Sequence, residues 1–162
     1  MSYSIYMDKS LFECFTSALY EVFSETGIEV DNIKETHLPR AEDIQIVTSI
    51  GLTGSIKGTF LMLMDLESAT NIADTMMKSM NLSDKSDKFD ALKEAAIAEI
   101  TNQISGHALT NLFKKHIQCD MTPPTILVGE KIKLMTSNLV NLVTKITTGS
   151  FGRLYILMGI KN

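Results

Sequence analysis

Residues 55–64 read SIKGTFLMLM, and the middle of that run is apolar on both faces. A strand points successive side chains to opposite sides of its sheet. Such a run needs cover on both sides, so it predicts a central strand. Everything else in the chain must supply neighbours and a roof for it. The preceding IQIVTSI (44–50) alternates Ile44, Ile46, Thr48 and Ile50, and GLTG (51–54) carries two glycines. That pattern predicts a strand, a hairpin turn at 51–54, and the central strand beyond.

The roof is read from helical spacing. Residues 8–25 repeat Leu11, Phe12, Phe15, Ala18, Leu19, Val22 and Phe23 on one stripe. Asp8 is the expected cap of that helix and Gly27 its stop. Residues 28–43 are mixed and polar, with a short strand expected around 30–36. Residues 66–80 return to helical spacing through Ile72, Ala73, Met76 and Met80, a Met-rich face suited to core filling. NLSDKSDK (81–88) reads as a polar loop with cap residues. A long helix is predicted from about 87 to 116. TPPTILVGE (122–130) then leads into a strand, and 138–147 with 151–160 form a terminal hairpin around its glycines. The order of helix, strands, helix, long helix, strands gives an α+β layout. It is one sheet with the helices packed on it, in one domain over 1–162. At 44% hydrophobic, 162 residues can bury a core without staples.

Composition removes several function classes. A net charge of −4, with no Lys/Arg cluster, argues against nucleic acid, whose phosphates need clustered cations. No apolar run reaches the roughly 20 residues of a membrane span. MSYSIYMDKS has no basic or apolar signal-peptide region, so a soluble, cytoplasmic protein is expected. Cys14 and Cys119 fit neither a C-x-x-C pair nor a metal spacing, and read as free thiols. His37, His107 and His116 have no partners the sequence identifies, and no metal site is expected. Ser105 and His107 point in different directions on a helix, which leaves no serine-type triad. GSFG (149–152) is a turn rather than a phosphate loop.

The long helix is where function is sought. At about 100° per residue, Ile97, Ile100, Ile104 and Ala108 share the side that must face the sheet. Glu99 and Asn102 fall nearly opposite, on adjacent turns, with Ala95 and Gly106 on the same outward face. A solvated face usually carries Lys, Glu and Arg throughout. Small flanking residues instead let another surface approach. Gly106 costs about 1 kcal/mol of helix stability relative to Ala. A kink or a close helix–helix contact at Gly106 would also explain it. A second E-x-x-N, Glu29 to Asn32, lies in a segment read as loop or strand and is taken as chance.

The segment AEITNQISGHALTNLF, followed by TPPTILVGE, resembles the CheC/CheX/FliY family of chemotaxis phosphatases. That family carries E-x-x-N on a helix, with a proline shortly after it. Glu99 and Asn102 match, and Pro123 or Pro124 matches the proline. The N-terminal helix, GLTGSIKGTFLMLM and the final strand pair are similar to the family layout, which implies a CheC-like fold. CheC-like members carry two motif copies. Here Glu13 is followed three later by Thr16, so the single motif resembles CheX. The family usually has Asp or Ser four residues before the glutamate, where this chain has Ala95.

The resemblance implies hydrolysis of the aspartyl phosphate on a CheY-type receiver. Asn102 would orient the attacking water, Glu99 would dock to the receiver's Lys, and Ala95 and Gly106 would admit the partner closely. The protein would need no cofactor of its own, because the receiver brings Mg²⁺. The resemblance also implies a homodimer formed through the sheet, with the edge of the last strand available. Two alternatives stay open: a catalytically weak adaptor that binds a receiver or other signalling protein, supported by Ala95, and a structural dimerisation domain.

Overall fold

The computed structural model describes residues 2–83 and 86–161. Among them are three α-helices and seven strands: α1 (Ser2–Thr26), β1 (Ile33–Glu35), β2 (Ile46–Gly54), β3 (Gly58–Met64), α2 (Leu66–Ser79), α3 (Ala91–Lys114), β4 (Cys119–Met121), β5 (Thr125–Val128), β6 (Leu139–Gly149) and β7 (Gly152–Lys161). The α+β layout is as the sequence predicts. All the strand pairs are antiparallel, in the order β1-β6-β7-β3-β2, with β4 and β5 both on the free side of β2.

β3 is central, between β7 and β2. Its Phe60, Met62 and Met64 enter the main core under the helices. The alternate residues Leu61 and Leu63 join Ile44, Val47, Ile132, Leu134 and Tyr155 in a smaller cluster on the other face. Both sides are therefore covered. Ile44 belongs to this second cluster, so it does not share the core face of Ile46 and Ile50.

α1 buries the stripe read from its spacing, from Leu11 to Phe23. Phe15 stacks on Phe60 with ring centroids 4.6 Å apart, and Phe23 meets Phe151 edge-on at 5.9 Å. Gly27 ends the helix at φ +88°. Gly27 N donates to Ser24 O, and Ile28 N reaches back to Phe23 O at 2.8 Å, which satisfies two orphan carbonyls. The start differs from expectation. The backbone is already helical at Ser2, so Asp8 lies inside the helix rather than capping it.

Three further expectations are corrected. GLTG is not the hairpin turn: β2 runs through it to Gly54, with Leu52 facing Gly58 across the ladder. The chain reverses in the residues after Gly54, whose φ is +102°. Met77, not Met80, fills the core beside Met76. α2 stops at Ser79, and Met80 is left 50% exposed as its C-cap. The last strand is not an edge. β7 is flanked by β6 on one side and, from Tyr155 to Ile160, by β3 on the other, so that stretch of its backbone has no free side to offer a second copy. Of the polar loop at 81–88, residues 84 and 85 lie outside the described residues.

Around the double proline the edge of the sheet makes one jog. Met121 faces Leu52 and Thr125 faces Ser49, so three residues (122–124) oppose two. That is a one-residue bulge. Thr122 spans it: its N donates to Gly51 O, and its Oγ1 accepts from Gly51 N at 2.8 Å. Pro123 and Pro124 sit where no ladder donor is needed.

Candidate functional site

α3 starts cleanly because Asp90 caps it, its side chain accepting from Lys93 N at 3.1 Å. Its inward face carries Ala96, Ile97, Ile100, Ile104, Ala108 and Leu112, all buried against the sheet and the other helices. Two hydroxyls on that face are accommodated locally. Thr101 Oγ1 donates to Ile97 O at 2.7 Å, and Ser105 Oγ lies 3.3 Å from Met121 Sδ. Ser105 thus faces inward, away from His107, as their spacing predicts.

The outward face is a single stripe. Leu92, Ala95, Glu99, Asn102, Gly106, Thr110 and Phe113 are all exposed. The structure therefore brings together all four residues singled out in the sequence. Glu99 and Asn102 are one turn apart, where side chains are neighbours at roughly 5–6 Å between Cβ atoms. Glu99 Oε1 accepts from Gln103 Nε2 at 3.2 Å. That bond steers the carboxylate along the helix, and Gln103 is a residue the sequence reading missed. A carboxamide four residues after a carboxylate was the available signal.

Gly106 has no structural reason to be glycine. α3 runs unbroken through it, and a Cβ placed there would meet nothing within 4 Å. Its φ is not in the left-handed region. A close contact with another helix of this chain is thereby removed as an explanation.

The stripe is held rigidly from both sides. His107 Nδ1 lies 3.0 Å from Glu21 Oε2 on α1, a partner 86 positions away that no local pattern reveals. Asn111 Nδ2 donates to Cys14 O, and Lys115 Nζ donates to Ser10 Oγ at 2.8 Å. At the other end Lys93 is 1% exposed. Its Nζ donates to Ser86 O at 2.5 Å and Lys88 O at 3.0 Å, and lies 3.9 Å from Asp74. Lys93 thus ties the loop before α3 to α2. It too was missed, because a lysine on an amphipathic helix normally reads as surface.

The two thiols are free, one buried and one half-buried. Burial pushes both Cys14 and Cys119 up from the usual thiol range, which keeps them protonated. His116 sits just past α3 with φ +62°, at the turn that leaves the helix. Glu29 and Asn32 lie outside any helix, so the second E-x-x-N has no common face.

A carboxylate and a carboxamide on a convex helix have no enclosure to desolvate a small molecule. The arrangement defines a class: an α+β domain that carries an exposed polar pair on a convex helix face. The family model for the chemotaxis phosphatase CheX matches residues 46–147. The "CheY-P phosphatase CheX" of Thermotoga maritima is 30% identical over 132 residues, covering 79% of this chain and 81% of that protein. The chain belongs to the chemotaxis phosphatase CheX family. Solved structures agree on the fold. The chemotaxis protein CheX from Vibrio vulnificus superposes with a TM-score of 0.77 at 17% identity, over 93% of this chain and 96% of that one. CheX in the CheX–CheY–BeF3–Mg²⁺ complex from Borrelia burgdorferi does so with a TM-score of 0.72 at 21% identity, over 93% and 97%. CheC-like proteins from Shewanella share the fold as well, one with a TM-score of 0.75 at 20% identity over 94% of this chain and 98% of that one.

Proposed function

We propose that this chain, a protein phosphatase by family, hydrolyses the aspartyl phosphate of a CheY-type response regulator through Asn102 and Glu99. The observation that carries the reading is the exposed, co-facial pair on α3 between Ala95 and Gly106. Asn102 makes no side-chain hydrogen bond to another described residue, so both its donor and its acceptor are available.

The chemistry asks little of the protein. Water oxygen bonds to phosphorus as the P–O bond to the aspartate breaks, releasing inorganic phosphate and a free carboxylate. An acyl phosphate already has a good leaving group. The receiver brings Mg²⁺ and a Lys for the phosphoryl oxygens. What remains is to hold one water in line, and phosphoryl transfer is mostly positioning and electrostatics. In this reading the Asn102 carboxamide reaches into the receiver and holds that water. Glu99 pairs with the receiver's Lys by a charge-assisted bond. Gln103 keeps Glu99 aimed. Ala95 and Gly106 leave the backbone of α3 open to close approach.

The test is phosphate release from a Mg²⁺-loaded, phosphorylated CheY-type receiver. The wild-type chain accelerates it, and Asn102→Ala removes the acceleration while Tm is unchanged. Equal acceleration by both forms would discard Asn102 as the catalytic residue.

A second reading is favoured by Ala95, which stands where the family usually has Asp or Ser. It is a catalytically weak module that captures the receiver as an adaptor. It predicts binding with little added hydrolysis, and no further loss in Asn102→Ala. We also propose one domain over 1–162, acting in the cytoplasm as a homodimer. With β7 interior, pairing would use other parts of the sheet. β1 and the residues flanking it bond only to residues 144–148 of β6, and β5 exposes Leu127 and Val128 at the opposite edge. Light scattering giving a mass near 18.0 kDa would sink the dimer.

A further inference from the structure

The outward stripe of α3 does not end with the polar pair. Phe113 lies eleven residues beyond Asn102, within about 20° of it around the helix and about 16 Å along it. It is 72% exposed, although the core runs directly beneath it at Leu112. Beside Phe113 is a groove of about 650 Å³, walled by Leu109 and Thr110 of α3, by Gly54 at the end of β2 and Ser55 after it, and by Ile117, Cys119 and Asp120. The groove is firmly built. Ser55 N donates to Gln118 O at 3.2 Å, and a Cβ on Gly54 would come within 3.2 Å of that same oxygen. Three separate parts of the chain thus converge to leave an apolar ring standing at the rim of a preformed depression. An exposed aromatic next to a concave patch has the anatomy of an interface anchor.

From Leu92 to Phe113 the stripe extends about 31 Å, the diameter of a small folded domain. Asn102 lies near its middle, so a domain docked on the polar pair lies over the stripe on both sides of it. This continuity with the polar pair selects the occupant. Resting on the function proposed above, we propose that Phe113 and the groove beside it form a second contact for the receiver. They engage apolar side chains that the receiver presents about 16 Å from its phosphoryl aspartate. In the reading above, the polar pair acts at the receiver's phosphoryl site. Phe113 reads surface outside that site and sets which receiver is accepted.

The test separates binding from chemistry. Phosphate release is measured over a range of phosphorylated CheY-type receiver concentrations for the wild-type chain, Phe113→Ala, Phe113→Leu and Asn102→Ala. Phe113→Ala raises KM roughly tenfold, as truncation of an aromatic anchor does, with kcat within about twofold. Phe113→Leu recovers most of the loss. Calorimetric binding of the receiver in its beryllofluoride–Mg²⁺ form gives the same ranking without turnover. An unchanged KM and Kd in Phe113→Ala, beside an inactive Asn102→Ala, overturns the anchor and leaves the catalytic reading standing. A full rate in Asn102→Ala with a raised KM in Phe113→Ala overturns only the catalytic assignment. A mass that falls in light scattering when Phe113 is replaced gives the groove to a second copy of the chain and overturns the proposal, as does a wild-type chain that binds no receiver.

Discussion

The two faces of α3 come from one continuous helix and obey different rules. Inward, Ile97, Ile100, Ile104, Ala108 and Leu112 are each fixed by what they touch. Outward, Ala95, Glu99, Asn102, Gly106 and Phe113 are fixed by little or nothing within the chain. Gly106 even lowers helix stability without a packing return. A face whose residues lack internal reasons is where external reasons are to be sought. The rigid face makes this possible: with α1 braced at Glu21–His107 and the preceding loop tied down by Lys93, the outer side chains need not hold α3 in place.

Substitutions on the two faces should therefore separate stability from activity. The largest stability effect belongs to the inward face. Ile104→Ala should cost about 2–5 kcal/mol, read as a lower denaturant midpoint. A loss below about 1 kcal/mol would mean the core is looser than the packing indicates. Next is Lys93→Ala, which removes the Nζ bonds to the carbonyls of Ser86 and Lys88. About 1–3 kcal/mol is expected, again by denaturant titration, with kcat preserved. Gly106→Ala should do the opposite of both. It should stabilise by up to about 1 kcal/mol, since the new methyl meets open space, while Gly106→Trp should leave Tm near wild type and weaken receiver binding. Equal activity for the Trp form would show that nothing approaches that face. Smallest is Gln103→Ala. Releasing Glu99 from its helical partner is worth roughly 0.2–0.5 kcal/mol, an effect of about twofold in KM in steady-state kinetics.

Legibility in the sequence followed the range of the interactions. α3 and its two faces were readable because a helix repeats every few residues, and both the isoleucines and the polar pair obey that period. The covered strand β3 was readable for the same reason, since five consecutive apolar residues leave no solvent face. Short-range punctuation was less dependable. GLTG looked like a turn, yet Gly51 is in-strand against Thr122, and only Gly54 takes a positive φ. Met80 was one residue past the end of α2, where a run of methionines carries no boundary signal. Strand order was not readable, because β7 becomes interior only through pairings with β3 and β6. β4 was missed, being three residues held by a remote partner. On the site, Glu99 and Asn102 were found by spacing and resemblance. Glu21 beside His107 and the groove beside Phe113 arise from contacts between distant segments, and only the fold reveals them.

The most direct test of the central claim is single-turnover loss of phosphate from a Mg²⁺-loaded, phosphorylated CheY-type receiver held with saturating Asn102→Ala protein. Saturation removes binding from the comparison. The account predicts a rate at least about 100-fold below wild type, approaching the receiver's own, with an unchanged melting temperature. A rate within a few-fold of wild type under those conditions would contradict it.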